Sequence, residues 1–318
     1  MKTVIVLLPV NERQKARLEK AGQGCRMLYR RRRELTREEA LSASVILGDP
    51  LPETIRGSEK LELLQSRFAG VDPFLAPGVL GPDTVLANSS GAYGKSVAEH
   101  GFALTLMLQK KLHRYRDLQK EARWDDLAPV RTLSDCTVLV VGLGDIGLCY
   151  ARMVKAMGAR VIGVRRRSAP CPECVDRVVL AEELDAVLPE ADVVFSVLPH
   201  SRETAGLYTE ERLALMKPDA VFINCGRGSA VRPEVLYRVI SEHRIASAAI
   251  DVMEPEPLPP DSPLWGLEDL VITPHVAGGH ALPENFEKIV DIAEANLAAW
   301  VNGKPCINVV DRATGYRQ

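Results

Sequence analysis

Three polar residues of different chemistry each follow an apolar, strand-like run. Arg227 follows 220–224 in Cys225-Gly226-Arg227-Gly228. Glu256 follows 248–252 in Met253-Glu254-Pro255-Glu256-Pro257. His275 follows 270–273 in Pro274-His275-Val276-Ala277-Gly278-Gly279. Ligands of open parallel sheets bind beyond the carboxyl ends of the strands, so these are positions where chemistry is done. An arginine there can fork onto a carboxylate and polarise the neighbouring carbonyl. A histidine can give a proton to that carbonyl oxygen as a hydride arrives, or take it back in the reverse direction. A glutamate beside the ring would favour its protonated form and hold its orientation. Each residue alone has a plain alternative: a hydrogen-bonded histidine, a loop-capping arginine, a solvated glutamate. Three such strand ends on one sheet point to carbonyl reduction or its reverse.

A hydride needs a carrier, and Gly142-Leu143-Gly144-Asp145-Ile146-Gly147 supplies a place for one. It follows the apolar run 137–141 and opens a helical pattern. The first glycine makes the turn, the second admits a pyrophosphate against the backbone, and the third lets helix pack on strand. The helix N-terminus, with Asp145 and Ile146 in its first turn, then offers N–H donors to the phosphates. An acidic residue that would bind the adenosine ribose is expected about 20 residues further on. In its place stand Arg165-Arg166-Arg167-Ser168. Arg165, Arg166 and Ser168 suit a 2′-phosphate, so NADP(H) is expected ahead of NAD(H), which stays possible. The competing reading is a solvated loop whose arginine stacks on adenine and still accepts NAD.

The elements that position these residues fall into two α/β stretches. Strands are expected at 4–8, 27–29, 45–47, 61–65 and 85–88, then at 138–141, 160–164, 193–198, 220–224, 248–252 and 270–273. Near-continuous apolar strands of this kind belong to parallel sheets covered on both faces. One long helix is expected over 96–119, another over 146–157, and a closing helix over 283–301. The tail at 306–310 reads as a strand or an extended strap.

Composition narrows the partners. With 318 residues there is room for two ordinary domains, and a net charge of -2 disfavours nucleic acid or anionic membrane. No apolar run approaches the roughly 20 residues of a membrane span. The basic run Arg30-Arg31-Arg32-Arg33 is followed by Glu34, Glu38 and Glu39 and reads as a solvated face. Seven scattered cysteines fit reduced thiols in a cytoplasmic protein. Cys171-Pro172-Glu173-Cys174 has no second ligand pair, so no metal is expected.

Taken in order, GLGDIG at 142–147, INCGRG at 223–228, AAIDVMEPEP at 248–257 and TPHVAGG at 273–279 resemble the D-isomer-specific 2-hydroxyacid dehydrogenases. NSSGAYGKSVAEH at 88–100 resembles that family's crossing into its cofactor domain. The resemblance covers nearly the whole chain. It implies two doubly wound parallel-sheet α/β domains. A Rossmann cofactor domain (96–287) is inserted into a flavodoxin-like substrate domain (1–95 plus 288–318), with the active site in the cleft between them. It implies that Arg227, Glu256 and His275 are the catalytic trio, and that Phe68, Ala69 and Gly70 belong to the loop facing the substrate carboxylate. Leu198 and Pro199 would lie beside the adenine and Asp251 near the nicotinamide carboxamide. Cys225 would line the cofactor pocket. Read without the family, Pro199 is a turn, Asp251 a strand-end hydrogen bond and Cys225 a buried inert thiol. Phe68, Ser90, Tyr93 and His280 are candidates to line the substrate side-chain pocket, with a core aromatic the equal alternative for Tyr93 and a surface loop residue the alternative for His280.

The expected substrate is a small 2-oxo or D-2-hydroxy acid, with glyoxylate and hydroxypyruvate in the foreground. Phosphoglycerate oxidation is disfavoured because little chain follows the closing helix. The resemblance also implies a homodimer formed near 96–112. The competing function is a cofactor-sensing binding protein of the corepressor type on the same fold.

Overall fold

The computed structural model describes residues 1–279, 282–312 and 315. Gly94–Gly279 form one compact unit, and the chain on either side of it forms another.

The first unit begins with β1 (Thr3–Val6), α1 (Glu12–Ala21), β2 (Arg26–Tyr29), α2 (Arg37–Ser42), β3 (Val45–Leu47), α3 (Pro52–Ile55), β4 (Leu63–Gln65) and β5 (Val85–Ala87). Its five strands are parallel in the order β2-β1-β3-β4-β5, the flavodoxin-like order. Helices start where the sequence caps them. Asn11 with Gln14 and Thr36 with Glu39 each form a reciprocal capping box, satisfying amides a helix cannot pair internally. Ile5, Ile46, Leu64 and Leu86 fill the core between sheet and helices, all at most 1% exposed.

The second unit opens with α4 (Gly94–Gln109) and α5 (Leu112–Lys120). It continues with β6 (Thr137–Val141), α6 (Asp145–Ala156), β7 (Arg160–Arg165), β8 (Arg177–Leu180), α7 (Leu184–Val187), β9 (Val193–Ser196), α8 (Glu210–Leu213), β10 (Val221–Asn224), α9 (Pro233–Ser241), β11 (Ser247–Ile250) and β12 (Leu270–Ile272). The seven strands are parallel in the order β12-β11-β10-β9-β6-β7-β8. This is the Rossmann order, and it reverses between β6 and β9, the switch point at which sheets of this kind bind their ligands. The chain is thus α/β throughout, a Rossmann domain inserted into a flavodoxin-like one.

The chain then returns to the first unit through α10 (Pro283–Val301). Arg17 of α1 reaches Glu287, Asp291 and Glu294 along one face of α10. Asn296 donates to the side chain of buried Gln65 at 2.6 Å. These partners place all of α10 in the first unit. The second boundary therefore falls at 279/280 rather than the expected 287/288, and the first at 93/94 rather than 95/96. Beyond α10, a strap pairs with β5 through Asn88 N–H to Asn308 O and Val310 N–H to Leu86 O.

Two elements differ from expectation. The helix expected over 96–119 is broken at Lys111, which sits in the left-handed region at φ 51°. Lys110-Lys111 has no apolar side chain to bury at that turn, so nothing holds the helix straight through it. Strand β8 was not foreseen, because its side chains lie at a sheet edge and only Val179 is fully buried.

Candidate active site

The three glycines of 142–147 have distinct surroundings. Gly142 adopts φ 106°, open to glycine but strained for any other residue. A side chain on Gly147 would run into the carbonyl of Gly142, whereas one on Gly144 would meet nothing within 4 Å. The middle position is therefore an open cradle above the start of α6. Gly144 is the N-cap and brings no side-chain cap, which leaves the first-turn amides to an incoming anion. Asp145 lies against Gly94, where a side chain on the latter would collide with the carboxylate. Ile146 is half-buried in the same turn. This arrangement fits a dinucleotide.

Arg165 ends β7, half-buried, and donates to Pro170 O at 3.4 Å; Arg166 and Ser168 beyond it are exposed. Leu198 and Pro199 follow β9, and the Pro199 carbonyl accepts from the Thr204 hydroxyl at 2.7 Å. Leu198 presses its backbone on Gly226, so no side chain fits at Gly226. Cys225 lies between these loops, 7% exposed, and burial pushes its thiol well up from the ordinary range.

Arg227, Glu256 and His275 all lie beyond the carboxyl ends of β10, β11 and β12, on one edge of one sheet. Asn224, the last residue of β10, is fully buried and clamps the turn that carries Arg227. It accepts from Gly226 N at 3.1 Å and donates to Arg227 O at 3.0 Å. Glu256 Oε1 accepts from Met253 N at 2.9 Å, and its Oε2 lies 2.8 Å from His275 Nδ1. A carboxylate only accepts, so Nδ1 carries the proton. Nε2 has no protein partner among the described residues, and the ring is 49% exposed.

His275 sits at φ 53°, a region costly to a residue with a β-carbon. What holds it there is Asp251, 2% exposed at the end of β11. The Asp251 carbonyl accepts from His275 N at 2.7 Å. Its carboxylate accepts from the Thr273 hydroxyl at 2.6 Å, Val276 N at 2.9 Å and Ala277 N at 3.0 Å. His100 of α4 approaches Thr273 Oγ1 at 3.0 Å. Since that hydroxyl already donates to Asp251, it accepts from His100 Nε2. The Ser96 hydroxyl donates to Gly278 O at 3.0 Å and ties down the far end of the loop. Asn224, Thr273, Ser96 and His100 were not singled out from the sequence. The only signals were their places within INCGRG, TPHVAGG and KSVAEH.

Phe68, Ala69 and Gly70 lie in the other unit, beyond β4. The Phe68 amide donates to Ser66 Oγ at 3.0 Å, its carbonyl accepts from Ser89 N at 3.0 Å, and Asn88 donates to Ala69 O at 2.7 Å. The amides of Ala69, Gly70 and Val71 have no protein acceptor among the described residues. Tyr93 is a core residue, 6% exposed, whose hydroxyl donates to Arg67 O at 2.8 Å. It supports this loop through that bond. Ser90 is half-buried, with its amide donating to Asn88 Oδ1 and its carbonyl accepting from Asn308. His280 lies outside the described residues. Cys171 is exposed and Cys174 half-buried, and no cluster of three or more metal-binding side chains occurs among the described residues.

Residues 102–277 match the NAD binding domain of the D-isomer specific 2-hydroxyacid dehydrogenases. The chain belongs to this family. A glyoxylate/hydroxypyruvate reductase B of Escherichia fergusonii is 30% identical over 279 residues, covering 85% of this chain and 84% of that one. A dehydrogenase of the family from Aeromonas salmonicida superposes with a TM-score of 0.83 at 31% identity, covering 98% of this chain and 99% of its own. The NADPH-dependent glyoxylate/hydroxypyruvate reductase of Sinorhizobium meliloti, solved with NADP and sulfate, superposes at 0.82 with 27% identity, covering 99% and 100%. Family membership makes the chain an NAD(P)-dependent oxidoreductase. No helix among the described residues is long and apolar enough to cross a membrane.

Proposed function

We propose that this 2-hydroxyacid dehydrogenase reduces small 2-oxo acids to D-2-hydroxy acids with NADP(H), NAD(H) being the poorer donor. Glyoxylate and hydroxypyruvate are its proposed substrates. The observation that carries the reading is the Glu256–His275 pair at 2.8 Å, with Nε2 turned to no partner among the described residues and Arg227 on the same sheet edge. When bound, the nicotinamide supplies the hydride that reaches the substrate carbonyl carbon. Arg227 forks onto the carboxylate and draws electron density from the neighbouring carbonyl. His275 delivers the proton from Nε2 to the carbonyl oxygen. Glu256 fixes the ring and stabilises its charge until that proton leaves. The amides of Ala69, Gly70 and Val71 are assigned to the substrate carboxylate.

NADP(H) preference rests on Arg165, Arg166 and Ser168, which place two guanidinium groups and a hydroxyl where a ribose-binding acid would repel a 2′-phosphate. The relative from S. meliloti is described as NADPH-dependent. Homodimer formation through the segment near 96–112 belongs to the same reading, and Leu112 at its end is 52% exposed. The seven free thiols suit a cytoplasmic protein.

Steady-state kinetics with NADPH and NADH against glyoxylate, hydroxypyruvate, pyruvate and bulkier 2-oxo acids test the whole reading. Turnover of glyoxylate or hydroxypyruvate with a higher kcat/KM for NADPH is expected. Tight cofactor binding with no turnover of any acid would instead mark a cofactor-sensing binding protein.

A further inference from the structure

Arg67 is a charged side chain to which the reaction as proposed assigns no task. It follows β4 and precedes the three unpartnered amides by two residues, a span of at most about 7 Å. Its guanidinium carbon lies 4.5 Å from the centre of the Phe68 ring. Its Nε is 3.5 Å from Asp49 Oδ2, and the side chain is one-third exposed. Nη1 and Nη2 have no protein acceptor among the described residues. A guanidinium laid on an aromatic face keeps its plane, so its outer fork points in a fixed direction.

The support beneath it is built rather than incidental. Asp49 is buried beyond β3, accepting from the Ser66 hydroxyl at 2.5 Å and from Arg67 N at 3.2 Å. Tyr93 holds the Arg67 carbonyl. The Asp49 carboxylate approaches Arg67 at Nε, and Arg32 beyond β2 also acts on it. The basic run 30–33 and Arg67 thus share the carboxyl edge of the five-stranded sheet, where ligands of such sheets bind.

We infer that Arg67 forms a subsite for a second anionic group on the substrate, so that the enzyme favours 2-oxo acids with a carboxylate or phosphate tail over neutral-tailed ones of equal length. The inference rests on the reductase reading above and on the assignment of Ala69, Gly70 and Val71 to the 2-oxo carboxylate. Its chemistry is a planar, two-pronged contact to an oxyanion, which an uncharged tail cannot repay.

The test compares matched substrates with the purified enzyme and NADPH: 2-oxoglutarate against 2-oxopentanoate, and 3-phosphohydroxypyruvate against hydroxypyruvate. At least one anionic member is expected to show about tenfold or greater kcat/KM than its neutral partner, and the pair that does so tells carboxylate from phosphate. Arg67→Gln should lower that ratio about tenfold, Arg67→Lys should keep part of it, and added salt should shrink it in the unmodified enzyme. A merely structural defect would lower both members of a pair together and leave the ratio alone. Neutral tails equal to or better than anionic ones in both pairs would overturn the inference, as would an unchanged ratio in Arg67→Gln. Glyoxylate turnover separates the two levels. If glyoxylate is reduced without tail preference, only the Arg67 subsite falls. If no acid is reduced, the reductase reading falls first.

Discussion

Glu256 occupies both of its oxygens, one on the Met253 amide and one on His275 Nδ1, so the ring is held by a carboxylate that is itself held. Removing the ring should therefore remove proton delivery and little else. His275→Ala is expected to lower kcat by about 10²- to 10⁴-fold, with the NADPH dissociation constant from fluorescence titration nearly unchanged. Near-normal kcat in that variant would refute the assigned donor. Arg227→Ala should raise KM and lower kcat together, because in the proposed reaction the same fork would bind the carboxylate and polarise the carbonyl. If Arg165 meets the 2′-phosphate as proposed, Arg165→Asp should reverse the nucleotide preference. The kcat/KM with NADPH should fall by about tenfold or more while that with NADH rises.

At the scale of elements, Asp251 matters more for what it holds than for its own exposure. Its carboxylate collects three donors from 273–277 and fixes the left-handed backbone at His275. Asp251→Asn would turn an amide N–H toward one of those donors. It is expected to cost about 1–3 kcal/mol in denaturant unfolding and to lower kcat, with the larger effect on Asp251→Ala. Much of this architecture was legible in advance. The shared sheet edge of Arg227, Glu256 and His275 was visible because each follows an apolar run that must be a strand, and parallel strands deliver their ends to one edge. Gly142 and Gly147 were visible because their roles are steric. Asn224, Thr273 and His100 were not. A buried polar residue that pairs with loop amides leaves no periodicity, and its partners are far away in sequence. The break at Lys111 and the edge strand β8 escaped for a related reason: neither buries enough apolar surface to write a pattern.

The whole molecule shows where acid would attack it. Asp192 stands at the entry to β9 with its side chain 6% exposed. Burial pushes its carboxyl up, but Lys217, the Thr137 amide and Arg131 together hold it below the usual carboxylate range. A depressed folded-state value contributes stability that is complete above the unfolded value near 3.9 and is lost as pH falls through the folded one. Unfolding of the Rossmann unit should accordingly steepen below about pH 4. Asp192→Asn should flatten that limb and cost about 2 kcal/mol at pH 7, read from urea midpoints at both pH values.

The insertion that puts Gly94–Gly279 between the two parts of the flavodoxin-like domain has a further consequence, for the order of events on the ribosome. Gln65 meets Asn296 across 231 residues of sequence, and Arg17 meets Glu294 across 277. At about 5–20 residues per second, β1 to β5 emerge tens of seconds before the helix that covers them is made. The Rossmann unit is a single uninterrupted stretch and has every strand it needs as soon as β12 appears. The domain that starts first is therefore the one that finishes last. An isolated 1–93 fragment should stay protease-sensitive until the segment carrying α10 is added in trans.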